Sequence, residues 1–208
     1  MPMTGPLLRH LIRSVPWWPF AAAMALALLV QYPVWSSPEP QSGTALFGLR
    51  LAAAVLGAAA GFALPDLMAS TVVTPIARWR VQWLRLAVLL VPSALAWVVL
   101  HAVVRSAGGP AFTWPVDFVI LQAAVCGLLP VAAAALGARY RDDPSGALLG
   151  PAAQGAAVVV SLFFTDSSSP WPAPVSTGWT PAQQSWPVVL VLVLAVLVVA
   201  NRERAAPR

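Results

Sequence analysis

Six runs of mostly apolar residues, at 16–35, 45–64, 81–104, 116–138, 147–164 and 186–200, take up most of this chain. Each approaches the roughly 20 residues that a helix needs to cross a bilayer. The fifth run is interrupted by Pro151 and Gln154, and the sixth is short enough to need a residue or two more at each end. The joins are short and rich in Pro, Gly, Ser and Asp, the residues of turns. Only 9% of the 208 residues are charged and 59% are hydrophobic, whereas soluble domains carry about 25% charged residues. Too little polar surface exists here to cover a soluble fold. The expected fold is therefore all-α and integral to a membrane: a single six-helix transmembrane domain over residues 1–208, without internal repeats.

The few charges orient that bundle. All twelve basic residues are Arg. Arg9 and Arg13 precede the first run, Arg78, Arg80 and Arg85 stand between or just inside the second and third, Arg139 and Arg141 follow the fourth, and Arg202, Arg204 and Arg208 follow the sixth. Only Arg50 and Arg105 belong to the other side. The excess of Arg on cytoplasmic loops then places both termini in the cytoplasm, which agrees with an even number of crossings. A cleaved signal peptide over residues 1–37 is the competing reading of the N-terminus. Its exit, Gln31-Tyr32-Pro33-Val34-Trp35, lacks the small-x-small cleavage pattern.

Three cytoplasmic segments stand out. In residues 4–15, Leu7, Leu8, Leu11, Ile12 and Val15 make one helical face and Arg9, His10, Arg13 and Ser14 the other, with Trp17 and Trp18 following. This is the pattern of an amphipathic helix lying in the membrane interface, or simply of a basic flank that sets topology. Between the second and third runs, Thr74 and Pro75 form a helix start, with Thr as cap and Pro at the first position. The third helix then begins before it enters lipid near Val81, and Asp66 to Val73 becomes a short insert between two long helices. An ordinary helical hairpin with snorkelling Arg is the alternative. Asp142 and Asp143 are adjacent, but Asp-Pro-Ser-Gly is turn chemistry and no third metal ligand is near.

Within the spans, Gly57 and Gly61 form a G-x-x-x-G pair with Ala53 one turn earlier, the signature of a close helix–helix contact. Arg50, His101, Arg105 and Asp117 gather toward the ends of spans on the side away from most Arg. Charged groups in or near a bilayer are functional candidates, unless all four sit at headgroup depth, where they cost little. Otherwise the interior shows mainly Gln122, Cys126 and Gln154 as polar atoms, which argues against a proton relay or ion-coupled carrier. Residues 165–185 read as the longest outer loop, with Trp171, Trp179 and Trp186 in an interfacial aromatic belt.

Composition also excludes functions. Without Lys there is no P-loop and no Schiff-base chemistry. One Cys makes no internal disulfide, and two His with one Cys make a poor metal set. Arg without Lys, over an Ala-, Val- and Leu-rich background, points to a high-GC bacterial genome and so to a multi-pass protein of a bacterial plasma membrane.

The ordered set of amphipathic N-terminal helix, six spans with both ends inside, and a short insert between spans two and three resembles the permease subunit of a bacterial ATP-binding cassette exporter. The string from Phe62 to Pro75, the Arg-rich helix after it, Arg139 to Gly146 and the Trp-rich outer loop are similar to small actinobacterial permease-like proteins. The resemblance spans the whole chain in layout, without a diagnostic motif. It implies export of a hydrophobic or amphiphilic substrate. It implies an elbow helix around Leu8, Arg9, Leu11, Ile12 and Arg13, and ATPase coupling through Asp66, Met68, Thr71, Thr74, Arg78 and Arg80. Arg139 and Arg141 join the latter two as candidates to meet carboxylates of the ATPase. The implied partners are a cytoplasmic ATP-binding subunit, a second permease subunit (identical or related) and membrane lipid, with no nucleic acid. This chain itself would hold no cofactor, ATP and Mg being bound by the partner. The chain is smaller than typical members of that family, so re-entrant helices between spans five and six have little room.

Two other classes stay open. A non-transporting membrane scaffold, accessory or immunity protein needs only the small-residue face around Gly57 and Gly61. An intramembrane enzyme has only His101 with Asp117 as an acid–base pairing, and the E-E-x-x-x-R, H-E-x-x-H and G-x-S-x-G motifs are missing.

Overall fold

The computed structural model describes residues 12, 13, 15–64, 78–112, 114–140, 144–164, 169–172 and 179–202. Among these, every regular element is helical. The helices are α1 (Trp18–Ser36), α2 (Ser42–Gly61), α3 (Arg78–Gly108), α4 (Val116–Tyr140), α5 (Leu149–Ser161) and α6 (Trp179–Ala200). Short 3₁₀ turns cover Gly109–Ala111 and Pro144–Leu148. Five of the helices are long and apolar enough to cross a membrane: all but α5.

The helices follow the apolar runs closely, with two informative departures. α5 holds only 13 residues, about 20 Å at ~1.5 Å per residue. It is prolonged at both ends by tighter turns. The 3₁₀ turn at Pro144–Leu148 leads into it. At the far end the N–H groups of Leu162, Phe163 and Phe164 donate to the carbonyls of Val159, Val160 and Ser161. The helical path from 144 to 164 therefore reaches about 35 Å, counting ~2.0 Å per 3₁₀ residue. Pro151 does not interrupt it, because Pro151 sits in the first turn of α5, where backbone N–H groups have no helical acceptor anyway. The second departure corrects the outer loop. α6 starts at Trp179, seven residues before the expected Trp186, so Thr180 to Ser185 are helix. Pro181 falls in its first turn and is tolerated for the same reason.

α4 is the hub, packed against α2, α5 and α6, while α2 is packed against α1 and α3 as well. Small residues make this possible. A side chain at Gly57 would run into the carbonyl oxygen of Gly127 across the α2–α4 crossing. One at Gly127 would lie 3.3 Å from the Ala53 carbonyl oxygen, and one at Gly61 2.9 Å from the Ala134 methyl. The Ala53–Gly57–Gly61 stripe is thus filled inside the chain. Gly137 and Gly146 bring α4 against the turn that leads into α5 in the same way.

Two apolar cores result. One holds Ala60, Leu64, Leu86, Leu89, Val131 and Leu197 near the Arg-rich end. The other holds Leu46, Leu49, Trp97, Leu100, Trp114 and Trp179 near the Arg-poor end. Outward faces are as apolar as the cores: Leu29, Leu95, Val99, Val191 and Phe163 are all more than 60% exposed. Water would make so large an apolar surface an aggregation site, whereas lipid tails are its natural solvent. The chain is a multi-pass membrane protein by this criterion.

α4 and α6 run parallel. Gln122, early in α4, donates to Gln183, early in α6. At the other end the Arg139 Nη1 donates to the carbonyls of Val199, Ala200 and Arg202, capping α6 with a cation where its carbonyls lack partners. α5 lies between them in sequence and returns the chain along α4.

Candidate functional site

An arginine stands inside the Arg-poor half of the bundle. Arg50 is eight residues into α2, about 12 Å along its axis, and only 6% exposed. It is thus deeper than the span-end position read from the sequence. Its Nε donates to Gln122 Oε1 at 2.7 Å, and the Gln122 Nε2 in turn donates to Gln183 Oε1 at 2.9 Å. The Arg50 Nη2 reaches the Pro172 carbonyl at 3.5 Å, and the guanidinium carbon lies 5.5 Å from the centre of the Trp171 ring. Trp171 is fixed in its turn by donating from its indole N–H to Ser161 Oγ at 2.6 Å. The chain Gln183–Gln122–Arg50–Trp171–Ser161 links α6, α4, α2, the α5–α6 connection and the end of α5.

A cavity of about 320 Å³ opens beside this chain. α2 contributes Phe47, Arg50, Leu51 and Ala54, and α4 contributes Cys126. α5 and its last turn contribute Gln154, Val158, Ser161, Leu162 and Phe164, and Ser169 with Trp171 closes the remaining side. Val158, Leu162 and Phe164 are themselves exposed on the outer face of α5, so the cavity opens sideways between α2 and α5. Gln154 has a buried Oε1 with no hydrogen-bond partner among the described residues.

Among the described residues Arg50 forms no ion pair with a carboxylate, and two of its five N–H groups donate to protein acceptors there. A buried charge is costly unless paired and hydrogen-bonded. The neutral acceptors and the indole face offset part of that cost.

The remaining span-end charges are apart from this centre. His101 is buried and stacked on Trp97, with ring centres 5.3 Å apart, and Trp97 donates to the Leu49 carbonyl. Arg105 and Asp117 are exposed. Asp117 lies in the first turn of α4, where a negative charge suits the helix N-terminus. His101 and Asp117 share no hydrogen bond or ion pair among the described residues, so the acid–base pairing the enzyme class needs is not assembled. No cluster of three or more metal-ligand types occurs among the described residues.

The segments implied by the family resemblance fall mostly elsewhere. Leu8, Arg9 and Leu11, like Asp66, Met68, Thr71, Thr74 and the Asp142–Asp143 turn, lie outside the described residues. Ile12 and Arg13 are helical and exposed, and Trp17 donates to the Ile12 carbonyl at 2.8 Å. Arg78 and Arg80 belong to the first turn of α3, with only their backbone described. Arg139 is engaged by the end of α6 through its Nη1.

Gln183 was not among the residues picked out from the sequence, and Trp171 stood there only as part of an interfacial aromatic belt. Gln183 carried one usable signal: a polar side chain one turn or two into an apolar helix must find a partner, and Gln122 is its counterpart in another span. No protein-family model, no curated protein and no solved structure matches this chain.

Proposed function

We propose that this chain is the six-span membrane subunit of a bacterial transporter, an exporter energised by a separate ATPase. The observation that carries the reading is a buried guanidinium, without a carboxylate partner among the described residues, lining a cavity that opens sideways from the bundle. Ionisable groups inside spans mark substrate paths, and a sideways opening suits a substrate that arrives from lipid. In this reading the path 144–164 crosses the membrane as the fifth span, supported by its length and by the parallel course of α4 and α6. Both termini and the Arg-rich end face the cytoplasm, in keeping with the distribution of Arg. The chain has no Lys and hence no P-loop, so ATP and Mg belong to a cytoplasmic partner. A second permease copy, identical or related, completes the assembly. The insert 66–74 and the elbow 4–15 are its docking segments, and rigid-body movement driven from them would reshape the cavity.

Co-expression with candidate P-loop ATPases, those encoded beside this chain first, tests the reading. The tagged chain should co-purify with a stoichiometric ATPase, and Arg78→Glu with Arg80→Glu should reduce its recovery at least about tenfold. Intact assembly and intact transport after that double charge reversal would remove the basis for docking at this end.

A further inference from the structure

We infer that the Arg50 cavity binds an anionic amphiphile, with the acidic headgroup on the guanidinium and the hydrocarbon between α2 and α5. The inference rests on the reading of this cavity as the substrate site, and it names the chemistry of the substrate. Three observations lead to it. First, Arg50 is 6% exposed and lines the cavity, and its Nη1 has no hydrogen-bond partner among the described residues. A planar guanidinium matches carboxylate and phosphate oxygens two at a time. Second, Arg50 is held in place before any ligand arrives. Gln122 fixes Nε, Gln183 fixes Gln122, and the Trp171 ring lies against the guanidinium. Such preorganisation saves the ordering cost of binding.

Third, the rest of the lining is mixed. Ser161, Ser169 and Gln154 add polar atoms, while Phe47, Leu51 and Val158 offer hydrocarbon. A small hydrated anion has no use for those apolar walls. A neutral lipid has no group to satisfy the charge. The volume of about 320 Å³ sits at the low end of the ~300–1,000 Å³ typical of ligand sites. That is room for a headgroup and the first part of a chain, the remainder lying in lipid.

The test is native mass spectrometry of the full chain, delipidated in a neutral detergent and titrated with three probes. These are phosphatidylglycerol, diacylglycerol with the same acyl chains, and inorganic phosphate. The expected result is a preference for phosphatidylglycerol over diacylglycerol of about tenfold or more, the worth of one charge-assisted hydrogen bond. Arg50→Gln should abolish that preference, and Arg105→Gln, an exposed Arg at the same end, should retain it. Val158→Trp should fill the cavity from the exposed face of α5 and lose the lipid without touching the Arg50–Gln122 bond, which guards against misfolding of Arg50→Gln as the cause. Inorganic phosphate competing as well as the lipid would support the anion site and identify a soluble anion as its occupant, overturning the amphiphile. An unchanged preference in Arg50→Gln, or none in the native chain, would overturn the proposal. Because binding is read on the isolated chain, these outcomes are independent of whether an ATPase co-purifies.

Discussion

At the scale of single residues the protein balances one buried charge with neutral partners. Arg50 donates to Gln122, and Gln122 passes a donor on to Gln183. Removing Gln122 alone strands a charged donor in the bundle, while removing both members takes the charge away and leaves the neutral Gln183 amide. Gln122→Leu should therefore destabilise the chain by about 2–3 kcal/mol, since an unsatisfied buried group costs ~1–3 kcal/mol and a charged one more. The double variant Arg50→Leu, Gln122→Leu should recover at least about 1 kcal/mol relative to the sum of the singles. Unfolding in mixed micelles gives all four corners of that cycle, and strict additivity would mean the bond contributes no coupling. The polar members Arg50 and Gln122 were legible because a lone polar residue in an apolar run stands out. Their partnership was not, because it depends on the relative register of α2 and α4, which packing decides. Gln183 was hidden by its neighbours: Thr180, Pro181, Gln184 and Ser185 have the composition of a loop, and only the packing of α6 makes them helix.

At the scale of elements, apolar length located the helices to within a few residues, apart from the start of α6. The small-residue stripe on α2 was also legible, but its partner was not, since Ala and Gly are frequent on several helices. The structure gives the stripe to α4, and with it a crossing too close for a side chain at Gly57. Gly57→Ala should cost about 1–3 kcal/mol, the range for overpacking a tight contact, because its methyl would meet the Gly127 carbonyl. Gly155→Ala is the matched control on α5, where an added methyl meets nothing within 4 Å. It should be neutral or stabilise by roughly 0.5–1 kcal/mol through the lower backbone entropy of Ala. Thermal unfolding in one detergent compares the two directly. Equal melting temperatures would mean that α2 and α4 can separate without loss, contrary to their place at the hub. The same assignment turns the Gly57–Gly61 face toward α4 inside the chain.

For the whole molecule, the deciding relation is the parallel course of α4 and α6. Two neighbouring helices that point the same way across a bilayer require the chain between them to return through it. Gln122 against Gln183 fixes one end of the pair and Arg139 against Ala200 the other, and in the proposed six-span arrangement the returning piece is the path from 144 to 164. Its weak α-helical length results from trading α turns for 3₁₀ turns at both ends, which lengthens the rise per residue and lets 21 residues cover about 35 Å. A five-crossing arrangement would instead put the Arg after α6 on the side opposite Arg78 and Arg80, against the charge bias that orients membrane helices. Single cysteines in a Cys126→Ser background separate the two. Glu39→Cys and Ser168→Cys should react with a membrane-impermeant maleimide in intact cells. Ser145→Cys and Arg202→Cys should react only after the membrane is opened. Labelling of Ser145→Cys and Ser168→Cys from the same side would make 144–164 a surface segment. The Arg50 cavity would then lose its α5 wall as a membrane-embedded surface, and with it the sideways path from lipid.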